Sequence, residues 1–117
     1  MQKLSLPHHP PLLFAQEILE KEQKRARVKL RFPTFPSLAM LIEGAAQSSA
    51  ALSNSESQMG FLVSLKDIKL LNAPTTQELE VELTNLYNLG VMSSISFEIF
   101  AAKTSIASGS LVIAKEG

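Results

Sequence analysis

Between Phe32 and Ser55 the chain carries one ionisable side chain, Glu43. Its surroundings, "SLAMLIEGAAQSSAAL", are apolar, small or uncharged. Burial disfavours the charged form of a carboxylate, and ionisable groups placed in such surroundings cluster at functional sites. A glutamate there could act as general base, general acid or nucleophile toward an acyl carbon. The structural alternative is an ion pair with a basic residue such as Arg31, or a place at a wet edge.

Other reactive groups are few. The two histidines, His8 and His9, are adjacent and cannot build a His-rich metal site alone. With no cysteine, disulfides, Cys-based zinc sites and a thiol nucleophile are excluded. There is no nucleotide-binding glycine loop and no nucleophile elbow. No metal and no cofactor are expected.

The element that must position Glu43 reads as a helix. Ser37 follows Pro36 and suits an N-cap. Leu38, Leu41, Ala45 and Leu52 recur at helical spacing, and the run ends near Ser53 to Ser55. On a helical wheel these apolar residues fall at about 160–220° from Glu43. Around Glu43 lie Ala39, Met40, Ala46, Gln47 and Ala50, none of them charged. A helix exposed on that side would normally carry Lys, Glu and Arg. This one reads as covered all round, by its own sheet on one face and by a second subunit on the other.

Strands supply the rest. "KRARVKLRF" sets Arg25, Arg27, Lys29 and Arg31 on one face and Ala26, Val28, Leu30 and Phe32 on the other. Pro33 and Pro36 end it. "LLFAQEILE", Leu12 to Glu20, fits either a strand or a short helix. "GFLVSLKDIKLL" is rich in branched residues, "NAPTTQ" is turn chemistry, and "ELEVEL" alternates Glu78, Glu80 and Glu82 with Leu79, Val81 and Leu83. "VMSSISFEIFAAK" and "TSIASGSLVIAKE" complete the chain. One early helix followed by three or four consecutive strands argues α+β with an antiparallel sheet, not alternating α/β.

Bulk properties agree. A chain of 117 residues, 45% apolar and 19% charged, suits one domain, 1–117. Zero net charge removes the simplest case for nucleic-acid binding. No aromatic residues interleave with the basic ones, which also argues against nucleic acid. No apolar run approaches the roughly 20 residues of a membrane span. The Pro-broken N-terminus does not read as a signal peptide, so cytoplasm is the default. The basic strand face could meet coenzyme A phosphates or an acidic carrier protein through Arg25, Arg27 and Lys29. The alternative is a solvated face beside Glu17, Glu20 and Glu22. Met40, Met59 and Phe61 suit core or tunnel lining, and Tyr87 suits surface or core rather than catalysis.

The order "LPHHPPLLFAQEILE", a strand ending "RFP", "FPSLAMLIEGAAQSSA" and then "LKDIKLLNAPTTQELEVEL" resembles the hot-dog-fold β-hydroxyacyl-(acyl carrier protein) dehydratases. Acyl thioesterases share that fold. The resemblance implies a curved antiparallel sheet wrapped around one helix, an obligate dimer, and a hexamer of three dimers as a further form. It matches Glu43 to the family's helix carboxylate and Gln47 to the Gln four residues on. Ser37 stands where the family has a Gly whose N–H polarises the thioester carbonyl. Free donors at a helix start, here Ser37 and Leu38, suit an oxyanion. Arg31 occupies the place of the family's catalytic His, and arginine cannot take a proton at neutral pH. His8 matches a His that is not the catalytic one.

Three functions follow from the resemblance. One is hydrolysis of acyl thioesters of coenzyme A or acyl carrier protein, with Glu43 activating water or attacking the carbonyl. Another is a residual dehydratase pairing Glu43 with His8, His9 or a partner's His. The third is a non-catalytic subunit that binds acyl chains or a carrier protein. Hydrolysis stands slightly ahead, because it can run on a helix carboxylate without the missing His.

Overall fold

The computed structural model describes residues 2–3, 13–52 and 60–115. Its clearest element is β3 (Arg25–Arg31), where Ala26, Val28 and Leu30 are buried and Arg25 and Arg31 exposed. The alternation read from the sequence is thus the two faces of a real strand. The stretch around "FAQEILE", open between strand and helix by its pattern, is a strand, β2 (Ala15–Lys21). It pairs antiparallel with β3, and a two-residue strand, β1 (Gln2–Lys3), pairs with it in turn.

After β3 comes α1 (Leu38–Ser48), continued by a 3-10 turn over Ser49–Leu52. The remaining chain is four strands: β4 (Gly60–Leu70), β5 (Glu78–Leu89), β6 (Met92–Ala101) and β7 (Thr104–Lys115). All neighbours in the seven-stranded sheet are antiparallel, in the order β1-β2-β3-β5-β6-β7-β4. The chain leaves β3, passes through α1, and returns as β4 at the opposite edge. The helix therefore crosses one face of the sheet, and this is the hot-dog architecture.

The core lies between α1 and that face. Leu79, Val81 and Leu83 of β5, Ile95, Phe97 and Ile99 of β6, and Leu111 and Ile113 of β7 are buried against Leu41 and Ala45 of the helix. Two tight hairpins hold the register. The first turns at Gly90, whose φ of +63° suits a residue without a Cβ. The second turns at Ala102, which adopts a φ of +53° despite its methyl group.

β4 differs from the other long strands. It is an edge strand broken by register shifts between Leu62 and Ser64 and between Lys66 and Lys69, with Asp67 at a φ of +55°. Leu62, Leu65 and Leu70 lie opposite the buried Ile113, Leu111 and Ala107, so they share the core face of the sheet. Yet each is between 42% and 50% exposed. Helix α1 covers the middle of the sheet and leaves this apolar strip open.

Candidate active site on the central helix

The helix starts as its sequence dictates. Ser37 is extended (φ −76°, ψ 168°), and its hydroxyl accepts the Met40 N–H at 3.2 Å. That cap engages one first-turn donor. The Leu38 and Ala39 N–H groups belong to the set a helix cannot satisfy within itself, and they sit beside an exposed Ser37 and a half-buried Leu38. They can accept negative charge from a ligand, helped by the helix dipole.

Glu43 lies in the second turn of α1 and is half-buried. Gln47, one turn later, is 5% exposed. Its Oε1 accepts the N–H groups of Phe14 at 2.8 Å and Ala15 at 3.2 Å, and its Nε2 donates to Glu43 Oε1 at 3.3 Å. The helix thus reaches β2 through one amide, and the same amide holds the carboxylate. The close approach is made possible by Gly44. A Cβ there would lie 3.3 Å from Leu30 Cδ1 and 3.3 Å from Phe32 Cζ. Phe32 in turn stacks on Phe14, with ring centroids 4.8 Å apart.

The structural alternative of a Glu43–Arg31 ion pair is not what forms. The ion pairs among the described residues are Arg25–Glu82, Arg27–Glu20 at 3.5 Å and Arg27–Glu82 at 3.8 Å. Arg31 ends β3 with its side chain exposed and its N–H bonded to the Phe14 carbonyl at 2.9 Å. Its fixed backbone place follows from strand pairing, opposite Glu78. Arg25 and Arg27 have their charge partly matched by Glu82 and Glu20, and the Glu82 hydrogen bond raises the Arg25 pKa further above its ordinary value. Lys29 is half-buried and faces Glu80 on one side and Glu17 on the other. Glu82 was not among the acidic neighbours expected for this face; it becomes one through the β3–β5 register.

The wheel drawn from the sequence needs correction. Its apolar arc of Leu38, Leu41, Ala45 and Leu52 is only part of the buried face. The buried helical residues are Leu41, Gly44, Ala45, Gln47 and Ser48, which turns the buried arc toward Glu43. The opposite side is less covered among the described residues: Ala39 is exposed and Ile42, Ala46, Ser49 and Ala50 are half-buried, Ile42 and Ala46 still packing on the core. His8, His9 and Met59 lie outside the described residues, as does the predicted helix end at Ser53 to Ser55. The same holds for the Phe61 side chain. Met40 packs against the core, and Tyr87 is 62% exposed near the β5–β6 turn. Pattern reading missed Phe35, 65% exposed two residues before the N-cap; its signal is an aromatic placed between two prolines.

A groove of about 370 Å³ on the sheet, lined by Asp67, Lys69, Glu82, Thr84, Glu98 and Ser108 among others, shares no residue with α1. Among the described residues no group of acidic or histidine side chains could hold a metal ion. Nor is any described helix long and apolar enough to cross a membrane.

No protein-family model matches this sequence, and no curated protein matches it significantly. Solved structures do match in fold. The dehydratase heterocomplex ApeI:P from Xenorhabdus doucetiae superposes with a TM-score of 0.78 at 16% identity, covering 96% of this chain and 88% of that one. A sigma28-regulated virulence protein of Campylobacter jejuni gives 0.76 at 14% identity, covering 97% and 92%. A hypothetical thioesterase from Streptococcus pneumoniae, solved with coenzyme A, gives 0.70 at 13% identity, covering 86% and 85%. The chain has the hot-dog fold, which these solved structures share.

Proposed function

We propose that this protein hydrolyses acyl thioesters, of coenzyme A or of a carrier protein, with Glu43 as the catalytic carboxylate. The carrying observation is a half-buried glutamate on the central helix, outside every ion pair of the described residues and held by a buried amide. In this reading Glu43 takes a proton from water, and the resulting hydroxide adds to the thioester carbonyl. The oxyanion forms at the N–H groups of Leu38 and Ala39. The C–S bond then breaks and the thiol leaves with a proton. Neighbours described as a thioesterase with coenzyme A and as a dehydratase complex support thioester chemistry on this fold.

Hydrolysis is favoured over dehydration by the position of Arg31. It stands where the dehydratase pattern has its His, and its guanidinium is exposed at a strand end, without contact to Glu43. Dehydration needs a base and an acid, and among the described residues no second titratable group forms an ion pair with Glu43.

The protein acts as a homodimer in this reading. Leu38 and Glu43 are about 7.5 Å apart along the helix and about 140° apart around it. One chain's Glu43 is therefore set back along the helix from its own first-turn N–H groups, which point along the axis. The open strip of Leu62, Leu65 and Leu70, on an edge strand uncharged from Gly60 to Leu65, supports pairing with a second copy. Release of free thiol from a panel of acyl thioesters, lowered about a hundredfold or more in Glu43→Gln, is the expected result. Undiminished release in that variant would end the hydrolase reading.

The Arg31 substitution also favours a second reading, a non-catalytic subunit. It predicts binding of an acylated carrier protein by a preparation that releases no thiol and hydrates no crotonyl thioester. Hydration of crotonyl thioester, lost in His8→Ala or His9→Ala, would instead establish the residual dehydratase.

A further inference from the structure

We propose that Gln47 is a positioning residue, whose amide direction is set by the backbone of Phe14 and Ala15 at the start of β2 and which thereby holds Glu43 in one orientation. This rests on Glu43 being the working carboxylate. A side-chain amide has an acceptor end and a donor end, and which way it points is decided by its partners. Here the partners leave one choice. The Phe14 and Ala15 N–H groups both aim at the same atom, at 2.8 and 3.2 Å. Two donors can be met only by an acceptor, so Oε1 faces β2 and the NH₂ faces away. On a helix the residue four positions back is the neighbour in that direction, and it is Glu43. The 3.3 Å contact from Nε2 to Glu43 Oε1 is therefore a consequence of the strand, not of the helix alone.

The residue type fits both tasks at once. Glutamate would accept from β2 but offer no N–H to Glu43. Lysine or arginine would donate to Glu43 but leave two backbone N–H groups unmet in a buried place, which is costly. Methionine fills the space and does neither. Asparagine is one methylene shorter on the same backbone. With Gln47 at 5% exposure, water does not substitute freely for any of these bonds. The amide engages Oε1 of Glu43 and leaves Oε2 for water or substrate.

The test combines kinetics with a spectroscopic readout. Gln47→Met, Glu43→Gln and the double variant are compared for kcat and KM on the thioester that the wild type hydrolyses best. A hydrogen bond to a charged group predicts that Gln47→Met lowers kcat about tenfold or more, with KM little changed. The same change in the Glu43→Gln background should lower the residual rate no further. A merely structural glutamine would lower both backgrounds alike, and that overturns the proposal. Gln47→Met also removes the β2 anchor, so a loss of thermal stability is expected either way and decides nothing.

Should Gln47→Met not fold, the side-chain NH₂ resonances of Gln47 in the otherwise intact protein serve instead. They should shift and exchange faster with solvent in Glu43→Ala. Resonances that stay in place mean the contact is absent, and the proposal fails. If the resonances move but Glu43→Gln keeps full turnover, the contact exists while the hydrolase reading fails, and Gln47 positions nothing catalytic.

Discussion

Replacing Gly44 tests how closely α1 approaches β3. Gly44 is buried in the second turn of the helix, and an added Cβ would meet Leu30 and Phe32 at 3.3 Å. Those neighbours have little room to move. Leu30 is fully buried, and Phe32 is backed by Phe14. Alanine at this site gains about 1 kcal/mol of helix propensity over glycine and meets only the marginal contacts, so Gly44→Ala should be near neutral. Gly44→Val adds two methyl groups where no space exists, and overpacking of that kind costs about 1–3 kcal/mol. After the smaller propensity gain of valine, the net loss should be about 2 kcal/mol, or a Tm lower by roughly 8 °C for a domain of this size. The assay is urea unfolding of wild type, Gly44→Ala and Gly44→Val at one protein concentration, since association would shift the midpoint. A valine variant as stable as wild type would show that the helix does not rest on Leu30 and Phe32, and the placement of Glu43 beside β2 would go with it.

Other predictions address separate parts of the account. Ser37→Ala removes the cap on the Met40 N–H and should cost about 1 kcal/mol, read by the same unfolding assay. Ala102→Gly should stabilise by roughly 0.5 kcal/mol, the left-handed penalty of alanine less the entropy of glycine; a lower midpoint would contradict the turn geometry. Leu65→Lys places a charge on the open apolar strip and should convert the proposed dimer to a monomer in light scattering. Leu89→Lys, at the 72% exposed tip of β5, should leave the oligomeric state unchanged. Arg31→Ala should leave thioester turnover within about twofold, as for a surface change; a large loss would return Arg31 to the site.

How much of this was legible in the sequence differed by element. β3 and β5 were plain because each buries one face and wets the other, so alternation survives in the residue types. Ser37 was plain because a cap has its own chemistry. Helix α1 was harder. Its buried face includes Gly44, Gln47 and Ser48, which no hydrophobic pattern marks. Gly44 is buried because it is small, Gln47 because Phe14 and Ala15 at the start of β2 supply two donors, and Ser48 because its hydroxyl donates to the Gly44 carbonyl at 2.7 Å. The partners of Arg25 and Arg27 were set by strand register, which brings Glu82 from 57 and 55 positions away. The bulges of β4 have no local signature at all. Glu43 stood out by being the single charge in its segment, and the resemblance already marked Gln47, but the bonds of that amide became visible only once the start of β2 was placed against the helix.

The central claim is that Glu43 does chemistry. Its most direct test is thiol release from short, long and aromatic acyl thioesters by the wild-type protein and by Glu43→Gln, both shown to be folded by their unfolding midpoints. The account predicts turnover by the wild type that falls about a hundredfold or more in the variant at unchanged stability. Equal turnover by both proteins, or none by either, would contradict it.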